Sequence, residues 1–467
     1  MSFFGRHGRS AARAIVLLAS ASWPLSQSAA ESLESALIQA YQNNPQINAQ
    51  RAAVRVTDEN VPTALAGYRP RVSATASVGQ LHQDVQTRIT GGALANLSGN
   101  YTTSAYGITA TQTLYNGFQT ANRTRQAEAQ VFSARETLRS TEQTVLLQAV
   151  TAYMNLLRDT AIFDLQKRNV EVLGEQLRQV RDRFNVGEVT RTDVAQSESR
   201  IAAGRSQVLS AEANYKSSAA TYRQVIGHDP GRLVPGTPVD RFSPSTLPAA
   251  VGSGSAEHPS VTTAQYNVDA AQSAVKIAEG ALLPTVSLQG SAQQSYNSTI
   301  TSRDLFTGTV VGSVSVPIYQ GGAEYAAVRQ AKETLGQRRI DLDTARDQVR
   351  QTVVQSWGQL EAAKANIEAT GAQVQAAEVA LNGVREEARV GQRTTLDVLN
   401  AQQELVNARV SLVSAQRDRV VASYTLLAAV GRLAPQILGL SAPNYDARVH
   451  YHQVRDSWSG IRTPDGR

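Results

Sequence analysis

The 467-residue chain has no cysteine. That excludes disulfides, thiol chemistry and a lipid anchor on an N-terminal cysteine. Only two methionines are present, and aromatic residues make up 6%. A large globular core normally uses more of both, whereas small apolar residues on long helices suit close helix–helix seams. The six histidines are scattered. No helix carries paired metal-ligating histidines, and there is no Gly-Lys phosphate loop and no Ser or Cys nucleophile motif. The sequence therefore offers no catalytic residue, no cofactor site and no metal site. The formal net charge is +6. Three of those charges (Arg6, Arg9, Arg13) lie in the first thirty residues, and the remainder is too weak and too evenly spread to argue for nucleic acid.

Those first thirty residues read as a secretory signal. The arginines form its basic start, Ala14–Ala19 opens a short apolar run, and Ser28-Ala29-Ala30 offers small residues for cleavage before Glu31. Beyond residue 30 no stretch of about eighteen apolar residues occurs, so a transmembrane helix is not expected. An exported chain of this kind is either soluble or a membrane β-barrel, whose alternating signal is weaker.

What is present is a duplication. Asn44-Pro45 returns as His258-Pro259, and Pro70-Arg71-Val72-Ser73 as Pro284-Thr285-Val286-Ser287, each 214 positions on. Leu114-Tyr115-Asn116-Gly117 returns as Ile318-Tyr319-Gln320-Gly321, Val186-Gly187 as Val390-Gly391, and Asp193-Val194 as Asp397-Val398, each 204 positions on. The expected division is a signal peptide (1–30), a first repeat (31–228), a Pro-rich linker without regular structure (229–256), a second repeat (257–432) and an irregular tail (433–467). Each repeat reads helix, strand, strand, very long helix, helix. Helical spacing over 33–67 is interrupted at Asn44-Pro45 and again near Pro62.

Period two begins at Arg71. Val72, Ala74, Ala76 and Val78 alternate with Ser73, Thr75 and Ser77, and Ile108, Ala110 and Leu114 alternate with threonines. Strands are expected at about 70–86, 104–115, 284–294 and 308–318. Gly91–Asn100 and Ser295–Thr301 read as solvated hairpin loops. From Phe118 to Phe184 there is no proline and one glycine, with apolar residues at three- and four-residue steps. Such a helix is a rod of roughly 100 Å, and a second helix from about Thr192 to Val225 returns half that distance. The copy spans about 323–388 and 396–430. In the tail, His450 and His452 read as solvated.

Four strands cannot close a barrel, and an open sheet in lipid leaves unsatisfied edges. Other copies of the chain must complete it: two would give eight strands and three would give twelve. Tyr115, Phe118 and Tyr319 fall where strand becomes long helix, the expected level of the membrane surface. The competing reading is a periplasmic coiled-coil adaptor or structural protein without a barrel.

The duplicated order, Asn44-Pro45 and its copy, Tyr319-Gln320-Gly321-Gly322, and above all Val390-Gly391-Gln392-Arg393-Thr394-Thr395-Leu396-Asp397-Val398-Leu399 resemble the TolC family of outer-membrane channel proteins. The resemblance covers essentially all of the chain beyond residue 30. It implies an α+β membrane protein: a homotrimer with a twelve-stranded β-barrel in outer-membrane lipid, continued by a long α-helical barrel across the periplasm of a Gram-negative bacterium. It implies a passive exit duct for drugs, small molecules or secreted proteins, with a periplasmic adaptor (membrane fusion) protein and an inner-membrane transporter as partners.

The two helix–helix turns, at the far end of the rods, are the places to look for function. Gly187 and Gly391 let the chain reverse. Thr190 with Asp193, and Thr394 with Asp397, are spaced as capping boxes. In a trimer the two aspartates would place six carboxylates near one aperture. The resemblance adds that Arg393, with Thr192 and Asp193, ties neighbouring helix pairs together and keeps the entrance closed. Asn400 stands where a second pore-lining Asp can occur, and Ala388 where a gating Tyr can occur. The tips Val186-Gly187 and Val390-Gly391 resemble the surface that adaptors engage.

Overall fold

The computed structural model describes residues 31–467 apart from Ile89, Ile300, Thr301, Ala442, Asn444, Asp465 and Arg467. The expected signal segment lies outside the described residues. Helix α1 (Leu33–Asn43) starts on the Ser32 side chain, and α2 (Pro45–Asp58) starts on Asn44, whose side chain accepts from the Gln46 amide. Pro45 fits there because the first turn of a helix needs no amide donor. A third segment, α3 (Asn60–Leu65), includes Pro62 in its first turn.

The chain then switches to a four-stranded antiparallel sheet in sequence order: β1 (Arg71–Arg88), β2 (Leu94–Asn116), β3 (Thr285–Thr299) and β4 (Ser302–Ser315). Its register puts like with like. Val72, Ala110, Gly290 and Val310 share one row; Ala74, Ile108, Ala292 and Gly308 share the next. The opposite face carries Ser, Thr and Gln, with Ser287 bonded to Ser313 at 2.7 Å and Ser291 to Thr309 at 2.6 Å. The apolar face is bare: Val72, Ile108 and Val310 are all exposed. An apolar outer face over a polar inner face is the dyad pattern of a lipid-embedded barrel wall.

Three strand expectations need correction. The loop expected at Gly91–Asn100 is much shorter, because Leu94 already pairs with Arg88 and Leu97 with Val85. Similarly β3 runs on through Ser295 to Thr299, well into the loop expected there. Backbone ladders continue past the apolar band because a hairpin stem in water needs no apolar partner. Leu114 does not continue the face of Ile108 and Ala110: a bulge between Thr113 and Tyr115 shifts the register, and Tyr115 pairs with Val286 instead.

Helix α4 (Gln119–Asn185) and its copy α8 (Ala323–Arg389) each run 67 residues, about 100 Å. They return as α5 (Arg191–Ile226) and α9 (Thr395–Ala429). Helix α6 (Leu247–Glu257) lies between the repeats, and α7 (Pro259–Gly280) opens the second one as the counterpart of α2. Gly117 crosses Gly280 so closely that a Cβ on Gly117 would stand 2.2 Å from the Gly280 carbonyl oxygen. This crossing, at positive φ, fixes where strand turns into α4. In the helical layer α4 and α9 lie inside and α5 and α8 at the two sides. The burial pattern reports this: 21 residues of α4 are buried against 10 of the equally long α8.

The segment 229–256 is not wholly irregular. Thr246 caps α6, and Pro248 sits in its first turn. The rest of the segment is tied down by Tyr153, fully buried, whose hydroxyl lies 2.8 Å from the Glu31 carbonyl, 2.6 Å from the Val234 carbonyl and 3.1 Å from the Val234 amide. The tail also holds a helix, α10 (Ala447–Val454). His450 is buried rather than solvated, with Nδ1 3.0 Å from Asp58 Oδ2. Burial pushes the fully enclosed Asp58 carboxyl above its ordinary range, while His450 and Arg135 pull it back. The imidazole thus docks α10 on α2.

Candidate functional site

The two turns at the far end of the rods are built alike. At α4's end the Gly187 amide donates to the Phe184 carbonyl at 3.0 Å and the Glu188 amide to Arg183 at 2.9 Å. At α8's end Gly391 donates to Ala388 at 3.3 Å and Gln392 to Glu387 at 2.9 Å. Each is a Schellman closure, which needs the left-handed backbone that Gly187 (φ 82°) and Gly391 (φ 80°) supply. The preceding valines have nowhere to go: Val186 and Val390 are each 72% exposed.

The next helices start on complete capping boxes. Asp193 accepts from the Thr190 amide at 2.9 Å and its hydroxyl at 2.7 Å, while the Asp193 amide donates to Thr190 Oγ1. Asp397 repeats this on Thr394 at 3.0 and 2.9 Å. The Thr394 amide, then its hydroxyl, then the Arg393 charge hold the Asp397 carboxyl below its ordinary range. Each aspartate is thus committed to a cap worth about 1 kcal/mol.

Arg393 Nε donates to Glu387 Oε2 at 2.8 Å, closing its own turn, and that carboxylate raises the guanidinium's pKa further. At the other turn Arg183 pairs with Glu188 at 3.0 Å. Asn400 accepts from Arg200 Nη2 at 2.6 Å, joining α9 to α5 across the two repeats. Arg385 bonds Gln402 at 2.9 Å within the second hairpin.

Between the hairpins lies a cleft of about 540 Å³, lined by residues of both turns, Asp193, Ala388, Gly391 and Arg393 among them. Of the residues expected from sequence, then, Asp193, Gly391 and Arg393 all line it. Thr192 is exposed and outside that lining, and Asp397 and Asn400 are engaged by Thr394 and Arg200. Sequence reasoning missed Glu387, six residues before Arg393 across a glycine turn, and Arg200. Only Glu387 had a local signal.

At the other end, Tyr115 and Phe118 meet edge to face, ring centroids 5.4 Å apart, with Phe118 64% and Tyr319 75% exposed. A second aromatic group, missed in the sequence, stands farther up the sheet: Tyr106 and Tyr296, centroids 6.2 Å apart, and Phe306 across from Gln294. Ten residue steps of β3, from Val286 opposite Tyr115 up to Tyr296, separate the two levels. Tilted by about 45° they span roughly 25 Å, the height of an apolar barrel band.

A profile of the outer membrane efflux protein family matches residues 36–228 and 253–432, once per repeat. The outer membrane efflux protein BepC of Brucella suis is 43% identical over 94% of this chain and 93% of its own length. The alkaline protease secretion protein AprF of Pseudomonas aeruginosa is 26% identical, over 87% of this chain and 85% of its own. Among solved structures, the open state of the Neisseria gonorrhoeae MtrE outer membrane channel aligns with a TM-score of 0.71 at 17% identity, over 85% of this chain and 88% of that one. The chain belongs to the outer membrane efflux protein family, the TolC-type channels: it is an exit duct of the outer membrane that extends into the periplasm, and not an enzyme.

Proposed function

We propose that three copies of the chain form the duct, and that the paired turns at the periplasmic tip form its gate. One observation carries the assembly: sheet and helical layer are unfinished on both sides. Strands β1 and β4 present unpaired edges, and the flanking helices α5 and α8 present apolar residues such as Leu209, Ile340 and Val379 to solvent. Joining edges around a threefold axis satisfies both layers at once, with twelve strands above and twelve helical positions below. Two copies would give eight strands, too narrow to conduct anything large.

The gate follows from the tip geometry. Arg393 stands on the cleft between the two hairpins, which Asp193 also lines. It holds the closed entrance by ties to a neighbouring helix pair, with Thr192 and Asp193 on the receiving side. Opening exchanges these ties for contacts with a periplasmic adaptor, which grips the exposed Val186-Gly187 and Val390-Gly391 tips, while an inner-membrane transporter supplies the cargo. Tyr115, Phe118 and Tyr319 mark the periplasmic lipid boundary. The likeness to BepC far exceeds that to AprF, which favours efflux of small molecules over protein secretion. Deleting the gene should therefore lower drug tolerance and leave the secreted proteins unchanged. The gate is tested by Arg393→Ala in planar bilayers: closed-state conductance should rise, and an unchanged conductance removes Arg393 from the gate.

A further inference from the structure

The C-terminal tail is held in a way the channel itself does not require. Helix α10 docks on the barrel end of the periplasmic body. Tyr451 packs with Val61, Ala127 and Val131, the last two being eight and twelve residues into α4, about 12–18 Å from its start. From there the chain climbs toward the barrel. Arg69 Nη1 donates to the Ser457 carbonyl at 2.5 Å, and the Arg69 guanidinium lies 4.7 Å over the Trp458 ring. Arg69 is two residues before β1. The neighbouring Tyr68 carbonyl accepts from Gln112 Nε2 at 2.9 Å, and Gln112 lies on the apolar face of the sheet, opposite Leu288. Trp458 is thus delivered to the foot of the lipid-facing surface.

What it presents there is apolar and uncovered. Trp458 is 72% exposed, and Ile461 is fully exposed. Arg69 places positive charge alongside, Arg462 follows four residues after Trp458, and within residues 455–464 Asp456 is the one carboxylate. An indole with an arginine beside it, at the level where strands leave lipid, has the chemistry of an interfacial anchor: apolar ring at the acyl boundary, charge at the phosphates. We propose that residues 455–464 rest on the periplasmic leaflet of the outer membrane, with Trp458 inserted among phospholipid headgroups. Arg69 is its positioning residue. This rests on the sheet's apolar face lying in lipid.

The sequence makes the test simple. Its three tryptophans are Trp23, Trp357 and Trp458, so Trp23→Phe with Trp357→Phe leaves Trp458 as the only emitter. The full channel is reconstituted in phosphatidylethanolamine/phosphatidylglycerol vesicles containing phosphatidylcholine brominated high on its acyl chains. Trp458 emission should be quenched relative to unbrominated vesicles, and adding Arg69→Ala should reduce the quenching. A protein with all three tryptophans replaced by Phe and Val310→Trp added reports on the sheet. If the indole introduced on the sheet is quenched and Trp458 is not, the anchor is refuted and the barrel stands. If Trp458 emits at short wavelength without quenching, another copy of the chain covers it, which also overturns the proposal. If neither is quenched, the lipid-facing assignment of the sheet fails.

Discussion

The contact between Arg200 and Asn400 joins the two repeats of one chain near the tip, so removing it should loosen the entrance from inside the protomer. The bond is short, at 2.6 Å, and its donor is charged. A charge-assisted hydrogen bond contributes about 1.5–3 kcal/mol in a buried setting. This one is exposed, and solvent screening reduces its share to about 1 kcal/mol. If the bond exists only in the closed state, Arg200→Ala shifts the open-to-closed ratio roughly fivefold, since about 1.4 kcal/mol is tenfold. Asn400→Asp does the reverse, converting the bond to an ion pair and stabilising the closed state. Single-channel recording of purified protein in planar bilayers reads both: open probability rises with Arg200→Ala and falls with Asn400→Asp. In the double variant the Asp has no partner, and its effect should vanish. If Asn400→Asp opens the channel as Arg200→Ala does, like-charge repulsion governs at that position, and the inter-repeat tie is not part of closure.

Two further outcomes follow from the tethers. Tyr153→Phe removes the hydroxyl that serves Glu31 and Val234, at a cost of about 1–3 kcal/mol. Limited proteolysis should then cut within 231–239 at protease levels the parent resists; equal resistance would mean the strap is held otherwise. Asp397 has a depressed carboxyl pKa, so its contribution to the cap is fully present above its ordinary value of 3.8 and is lost as pH falls through the lower folded value. Hydrogen exchange at 394–398, referenced to an unstructured peptide at each pH, should stay flat from pH 8 to 5 and rise only below about 4. Asp397→Ala should show raised exchange at every pH.

The architecture was legible where one short stretch of sequence decides one element. Pro70 and Pro284 announce the change from period 3.6 to period 2, long runs without proline give α4 and α8, and Thr-x-x-Asp after Val-Gly gives two capped turns. The start of α6 was also within reach, since Thr246 followed by Pro248 is a helix-start pattern that the surrounding prolines obscured. What could not be read depends on residues far apart. His450 is buried because Asp58, 392 positions away, needs a partner. The aromatic group of Tyr106, Tyr296 and Phe306 exists only once four strands are in register, and a bulge near Leu114 breaks the simple alternation. At the tip, residue types were readable but partners were not: nothing local pairs Asn400 with Arg200. Both aspartates first serve their own helix starts, so a ring of six free carboxylates at the aperture overstates their availability.

The mass of the assembled channel tests the central claim most directly. Protein extracted from the outer membrane in mild detergent and released in the gas phase should give one species of three chains, falling to single chains only after heating. A stable single chain or a pair under the same conditions would contradict the proposal that three open sheets close one barrel.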